Sequence, residues 1–166
     1  MLFAATLIAA TLSLQSADPT LPPAGTRPAI TVEARGVQIY TCMPQNQNRA
    51  FAWVFQAPEA TLFDPSTHQP VGTHTAGPTW TWSDGSAIEG RILQKQPSPD
   101  AQAIPWLLLE THASGTTTGA LSDVVYVRRS DTQAGAAPAE GCDAAHAGIT
   151  LRVPYAARYT FYKKAQ

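Results

Sequence analysis

Four histidines stand at His68, His74, His112 and His146, and imidazole is the side chain best suited to ligate a metal or move a proton near neutral pH. Metal-binding β-proteins commonly use His-x-His, because alternate residues of a strand project from one face, and no two histidines here are that close. His68 and His74 flank a turn and could converge, with His112 joining from a neighbouring strand, so a metal-dependent enzyme site on His68, His74 and His112 is one candidate. The competing reading makes His74 a hydrogen-bonded polar residue at a strand end, His68 a loop-surface residue, and His112 and His146 exposed. Among the carboxylates, Asp64, Asp84, Glu89 and Glu110 could supply a glycosidase pair, which needs two groups roughly 5–10 Å apart across a cleft. Asp64 before Pro65 and Asp84 before Gly85 read instead as turn residues. No G-x-S-x-G, G-x-G-x-x-G or P-loop occurs, so there is neither a nucleophile elbow nor a nucleotide cradle, and no cofactor is expected.

Aromatic residues are the remaining signal. In Val71–Trp82, VGTHTAGPTWTW, Trp80 and Trp82 share one face of a short strand, about 7 Å apart at ordinary strand rise. Exposed, such a ladder stacks sugar rings; buried, it fills a core. Thr79 and Thr81 take the opposite face, the apolar-in, polar-out alternation that favours the core. Tyr155, Tyr159 and Phe161 are read the same way. Gly77-Pro78 forces a turn between two strand-like pieces. A small-molecule or glycan ligand is expected near His74, Gly77, Trp80 and Trp106.

The elements that must position these residues are short β-like runs separated by turn residues. They fall at 29–34, 37–42, 51–56, 60–63, 70–74, 79–82, 87–94, 106–111, 124–129, 149–153 and 157–162. Val37, Ile39 and Thr41 face one way, as do Phe51, Trp53 and Phe55. Asp84-Gly85 is a preferred two-residue hairpin turn, predicting a hairpin over 79–94. Residues 95–103 and 130–141 read as long loops. Many short strands with no crossover helix predict an all-β, single-domain antiparallel sandwich or barrel with long loops.

At 166 residues the chain fits one domain with its own core. A net charge of −1, with Arg128-Arg129 and Lys163-Lys164 as the longest basic clusters, gives no electrostatic footprint for nucleic acid. Leu2 to Leu14 is an apolar run of signal-peptide length, too short to span a bilayer, with a small-residue exit at Ser16-Ala17. No basic residue precedes the run, and Gln15 is poor three residues before the cut. The alternative is a buried N-terminal helix. The predicted organisation is a leader over 1–17, a Pro-rich spacer over 18–28 and the β-domain over 29–162. The mature chain is then periplasmic or extracellular, with no membrane-spanning segment. Cys42 and Cys142, 100 residues apart, are the only cysteines. In an exported chain they most simply pair; two buried free thiols are the other possibility.

Ordered blocks carry a resemblance. They run Gly36-Val37-Gln38-Ile39-Tyr40-Thr41-Cys42, then Trp53 to Asp64 (WVFQAPEATLFD), then Val71 to Trp80, with Asp84-Gly85-Ser86 beyond. Ala103 to Leu109 (AIPWLLL), Gly141-Cys142 and Val153-Pro154-Tyr155 with Tyr159, Phe161 and Tyr162 complete the set. In this order they resemble a family of secreted bacterial and fungal proteins known as domain of unknown function 3455, over about residues 22–162. The resemblance implies an exported single domain with Cys42 and Cys142 at paired positions, and it brings no reaction or ligand. The malate-dehydrogenase label of some fungal relatives does not transfer, because the chain has no dinucleotide cradle and no length for two domains. Relatives tend to carry an aromatic after the histidine, where Thr75 follows His74 here.

Overall fold

Eight strands run in sequence order around a closed antiparallel barrel, β1 pairing with both β2 and β8. They are β1 (Thr26–Gln45), β2 (Ala50–Phe63), β3 (Pro70–Thr75), β4 (Thr79–Trp82), β5 (Ala87–Gln96), β6 (Trp106–Ala113), β7 (Val124–Ala134) and β8 (Thr150–Lys164). The computed structural model describes residues 18–45, 50–116 and 118–165; the leader expected over 1–17 lies outside them. Antiparallel neighbours need only hairpins. Among the described residues the sole helical element is a single 3-10 turn, Ala144–His146. The all-β prediction holds, and the sandwich-or-barrel alternative resolves as a barrel.

Several predicted short strands are parts of longer ones. Runs 29–34 and 37–42 join through Gly36, where a Cβ would lie 2.1 Å from the Glu59 carbonyl oxygen. Only glycine lets β1 and β2 approach so closely there. Runs 51–56 and 60–63 join through Pro58, next to a register shift at Ile39/Tyr40. Runs 149–153 and 157–162 form β8 through Pro154. Breakers that would end strands in a flat sheet are bends in a barrel of long, curved strands. The same applies to 130–141, expected as loop. Residues 130–134 belong to β7 across a register shift between Ser130 and Gln133, with positive φ at Asp131 and Ala134.

The expected hairpin is formed by β4 and β5. Its turn is held by Asp84, whose Oδ1 accepts from the Ser86 N–H at 2.9 Å and the Ser86 hydroxyl at 2.6 Å. Asp84 Oδ2 accepts from the Ala120 N–H at 2.7 Å. Asp64 likewise accepts from the Ser66 and Thr67 amides and hydroxyls. Those bonds, led by the Ser66 hydroxyl, pull its carboxyl down to about 2. Both are turn-forming groups.

One half of the barrel is filled solid by Val32, Ala34, Leu62, Ile88, Leu121, Val127 and Phe161. The outer surface carries cross-strand ion pairs, among them Arg91–Glu110 at 2.6 Å and Arg152–Glu59 at 2.9 Å. That is the reverse of a membrane barrel, whose outer belt is apolar. No described helix is long and apolar enough to cross a membrane. The stretch expected as a spacer is docked on this surface. β1 already begins at Thr26, and Asp18 Oδ2 accepts from Arg128 Nη2 at 2.5 Å while that guanidinium lies 5.2 Å over the Trp106 ring. Cys42 and Cys142 are disulfide-bonded.

Candidate ligand-binding cavity

The other half of the barrel is not filled. Beyond Gly36 the inward residues of β1 are Gln38, Tyr40 and Cys42, all buried. Val37, Ile39 and Thr41 share a face, as expected, but it is the outer one. These inward positions help enclose a cavity of about 350 Å³, within the range of small-ligand sites. Its walls are mostly apolar, built from Tyr40, Pro58, Trp80, Ile104, Leu107 and Leu109. Phe55 and Ile92 also line it and are 49% and 52% exposed, so the opening has an apolar rim. The β5–β6 connection and the end of β7 cross beside it. Ile104 N–H donates to the Ala134 carbonyl at 2.9 Å, and the Tyr40 hydroxyl donates to the Gly135 carbonyl at 2.7 Å. Gly135 has φ +83, and a Cβ there would meet Tyr155 Cβ at 2.6 Å. Only glycine closes that corner.

His74 stands in the wall. The Gly77-Pro78 turn folds β4 back on β3 so that His74 and Trp80 are direct cross-strand partners. Their rings stack 4.5 Å apart at 7°, and Tyr159 meets the imidazole edge-on at 5.1 Å. Nδ1 lies 3.0 Å from the Thr79 carbonyl oxygen. A carbonyl only accepts, so Nδ1 carries the proton and Nε2 keeps its lone pair. Burial, reinforced by the Arg129 charge, lowers the His74 pKa to about 4.

This shift has a stability consequence. Above pH 6.5 the imidazole is neutral in both folded and unfolded chains. Below it the unfolded chain takes a proton that the folded chain refuses until about pH 4, so stability falls across that window. The full loss is about 3 kcal/mol, at about 1.4 kcal/mol per pKa unit. Urea unfolding at pH 7 and pH 4.5 should show most of this loss in the native chain and little in His74→Gln. An equal loss in both would place the titrating group elsewhere.

The polar groups at the cavity are mainly donors. Arg129 is 9% exposed. Its Nε donates to the Pro105 carbonyl at 3.0 Å, and it sits between Leu107 of β6 and Tyr159 of β8 in the ladder. Trp80 Nε1 is buried without a hydrogen-bond partner, and the Tyr155 hydroxyl interacts with the side chains of Gln38 and Tyr159. Burial, then the neighbouring Tyr159, pushes the Tyr155 phenol far above its ordinary value, so it stays protonated.

Comparison with known protein families places residues 23–163 in one family, described as Protein of unknown function (DUF3455). The chain belongs to the DUF3455 family. No curated protein and no solved structure matches it.

Within this DUF3455 barrel, the sequence-derived ligand residues divide. His74, Gly77 and Trp80 line the cavity, whereas Trp106 does not; its ring lies under Arg128 on the outer face. Trp80 is 1% exposed and Trp82 packs against the core, so neither forms an open sugar platform. The three histidines weighed as metal ligands are not brought together. His68 is exposed in the β2–β3 turn, and His112 is exposed on β6 with Nε2 3.6 Å from Glu89. No group of three His, Cys, Asp or Glu able to hold a metal occurs among the described residues. Asp143 caps the 3-10 turn, and its Oδ1 lies 2.7 Å from Nδ1 of His146 at the end of that turn. Glu89 and Glu110, two of the four carboxylates weighed for a glycosidase pair, face His112 and Arg91 across the β5–β6 ladder. Thr75, which follows His74 where the resemblance implies an aromatic, is exposed and does not line the cavity. Sequence reasoning missed Gln38, Tyr40, Arg129 and Tyr159 as wall residues. Strand parity was the available signal, since Arg129 shares a face with the core residue Val127 and Arg128 does not.

Proposed function

We propose that this chain is an exported, non-catalytic binding domain for a small, largely apolar molecule held inside the barrel. The observation that carries the reading is the cavity of about 350 Å³, walled by apolar side chains in one half of an otherwise packed eight-stranded barrel. A barrel of this strand number has room for filling side chains or one small ligand, and here half of it is left open. The single disulfide fits a compartment where thiols oxidise. The Thr79 carbonyl holds the His74 Nδ1–H, and no hydroxyl or thiol hydrogen-bonded to Nε2 is found among the described residues, which favours recognition over turnover. The buried Trp80 favours a compact apolar ligand over a glycan.

The test is calorimetry and thermal unfolding with 1-anilinonaphthalene-8-sulfonate and a panel of small apolar alcohols and acids. A hundredfold excess over Kd should raise Tm by roughly 5–10 °C. Leu107→Trp, which places an indole in the cavity, should abolish the shift while the chain stays folded. Binding that survives Leu107→Trp unchanged would move the ligand out of the barrel and overturn the reading.

A further inference from the structure

Arg129 is the one buried Lys or Arg among the described residues. Arg35, Arg91, Arg128, Arg152 and Arg158 each meet a carboxylate within 3.2 Å. Arg129 is buried, and no Asp or Glu within ion-pair distance of it is found among the described residues. A buried guanidinium is costly unless its charge is met and its N–H groups are bonded. Here Nε donates to the Pro105 carbonyl, and no carboxylate among the described residues meets the terminal nitrogens. No carboxylate lines the cavity, and its other cation, Lys95, lies at the exposed rim. Arg129 also acts electrostatically on Tyr40, His74 and Tyr155, which places its charge among the inward groups of β1, β3 and β8.

The imbalance extends beyond charge. Trp80 Nε1 can only donate, and it is buried without an acceptor. The site therefore holds an indole N–H without an acceptor and a guanidinium without a negative charge. A planar carboxylate supplies both, since its two oxygens match the guanidinium edge.

We infer that the cavity binds an apolar carboxylate, its head on Arg129 and its hydrocarbon body against Trp80, Leu107 and Leu109 with its far end toward Phe55 and Ile92. This rests on the cavity reading above and adds the chemical class of the ligand. A phosphate monoester or sulfonate would share the charge but not the flat two-oxygen face. Octyl phosphate therefore belongs in the test beside the carboxylate.

The experiment is isothermal titration of the purified chain, near neutral pH, with octanoate, octan-1-ol, octylammonium and octyl phosphate, repeated on Arg129→Met and Arg129→Lys. Octanoate should bind roughly ten- to a hundredfold more tightly than octanol, the span expected of a charge-assisted hydrogen bond, and octylammonium most weakly. Arg129→Met should bring octanoate down to the octanol level and leave octanol unchanged, while Arg129→Lys keeps part of the preference. If Arg129→Met does not fold, the ranking on the native chain decides by itself. Octanol binding as tightly as octanoate would overturn the inference and leave the cavity reading standing. So would octanoate binding that Arg129→Met leaves untouched. Tighter binding of octyl phosphate would replace the carboxylate with a phosphate head. Failure of all four to bind would remove the cavity reading as well.

Discussion

Trp80→Ala should cost about 3–5 kcal/mol of folding free energy, the range for deleting a buried large aromatic. Against a typical total of about 5–15 kcal/mol, that leaves the barrel marginal or unfolded. The indole is 1% exposed and is the largest fully buried side chain. It stacks on His74 and meets Tyr159 and Phe161 edge-on at 5.7 and 6.2 Å. The backbone opposite has been shaped to it, since a Cβ on Gly90 would lie 2.9 Å from Trp80 Cζ3. Trp80→Phe retains an aromatic body and should cost about 1–2 kcal/mol while enlarging the cavity. Urea unfolding followed by circular dichroism reads both. A Trp80→Ala loss under 1 kcal/mol would mean that the indole is not the keystone joining the filled and open halves.

Breaking the Cys42–Cys142 bridge should have the next largest effect. Its sequence separation is 100 residues. Removing a native disulfide typically costs about 2–5 kcal/mol, and the chain-entropy model puts a loop of this length near the upper end. The bridge joins β1, at the cavity end, to the β7–β8 connection. That connection is also held by Cys42 N–H to the Ile149 carbonyl, Gly148 N–H to the Cys42 carbonyl, and Trp53 Nε1–H to the Glu140 carbonyl. These bonds survive reduction in the folded state, so the loss arises chiefly in the unfolded chain, which regains a long loop's freedom. The expected outcome is therefore a lower urea midpoint for the reduced chain and for Cys42→Ser/Cys142→Ser, with a native-like circular dichroism spectrum in the absence of denaturant. A midpoint unmoved by reduction would show that the backbone bonds alone fix the connection.

The strand alternation, the Asp84-Gly85 turn and the Gly77-Pro78 turn were enough to recognise an antiparallel all-β domain, because period-two patterning and turn stereochemistry are local properties. The same locality explains the misread lengths. Gly36, Pro58 and Pro154 end strands by propensity, and only pairing on both sides, β2 and β8 against β1, shows them to be bends. The roles of Asp64 and Asp84 as turn residues were legible for the same reason, since each bonds amides two or three residues away.

The site was half legible. His74, Gly77 and Trp80 lie within seven residues, so one hairpin brings them together. Trp106 was misplaced because its type suggests a ligand platform, while its parity on β6 puts it outside, beneath Arg128. Gln38 and Arg129 were passed over as wall residues despite their parity, because a polar or charged residue in a strand reads as solvent-facing by default. By itself the sequence determined the fold class, the elements around the two turns and the one covalent crosslink open to the chain. Tertiary structure alone decided which face of each strand became the interior and that half of this interior stays open. It alone left the guanidinium of Arg129 inside without a carboxylate. Those outcomes depend on ring closure among eight strands, and no local window contains that information.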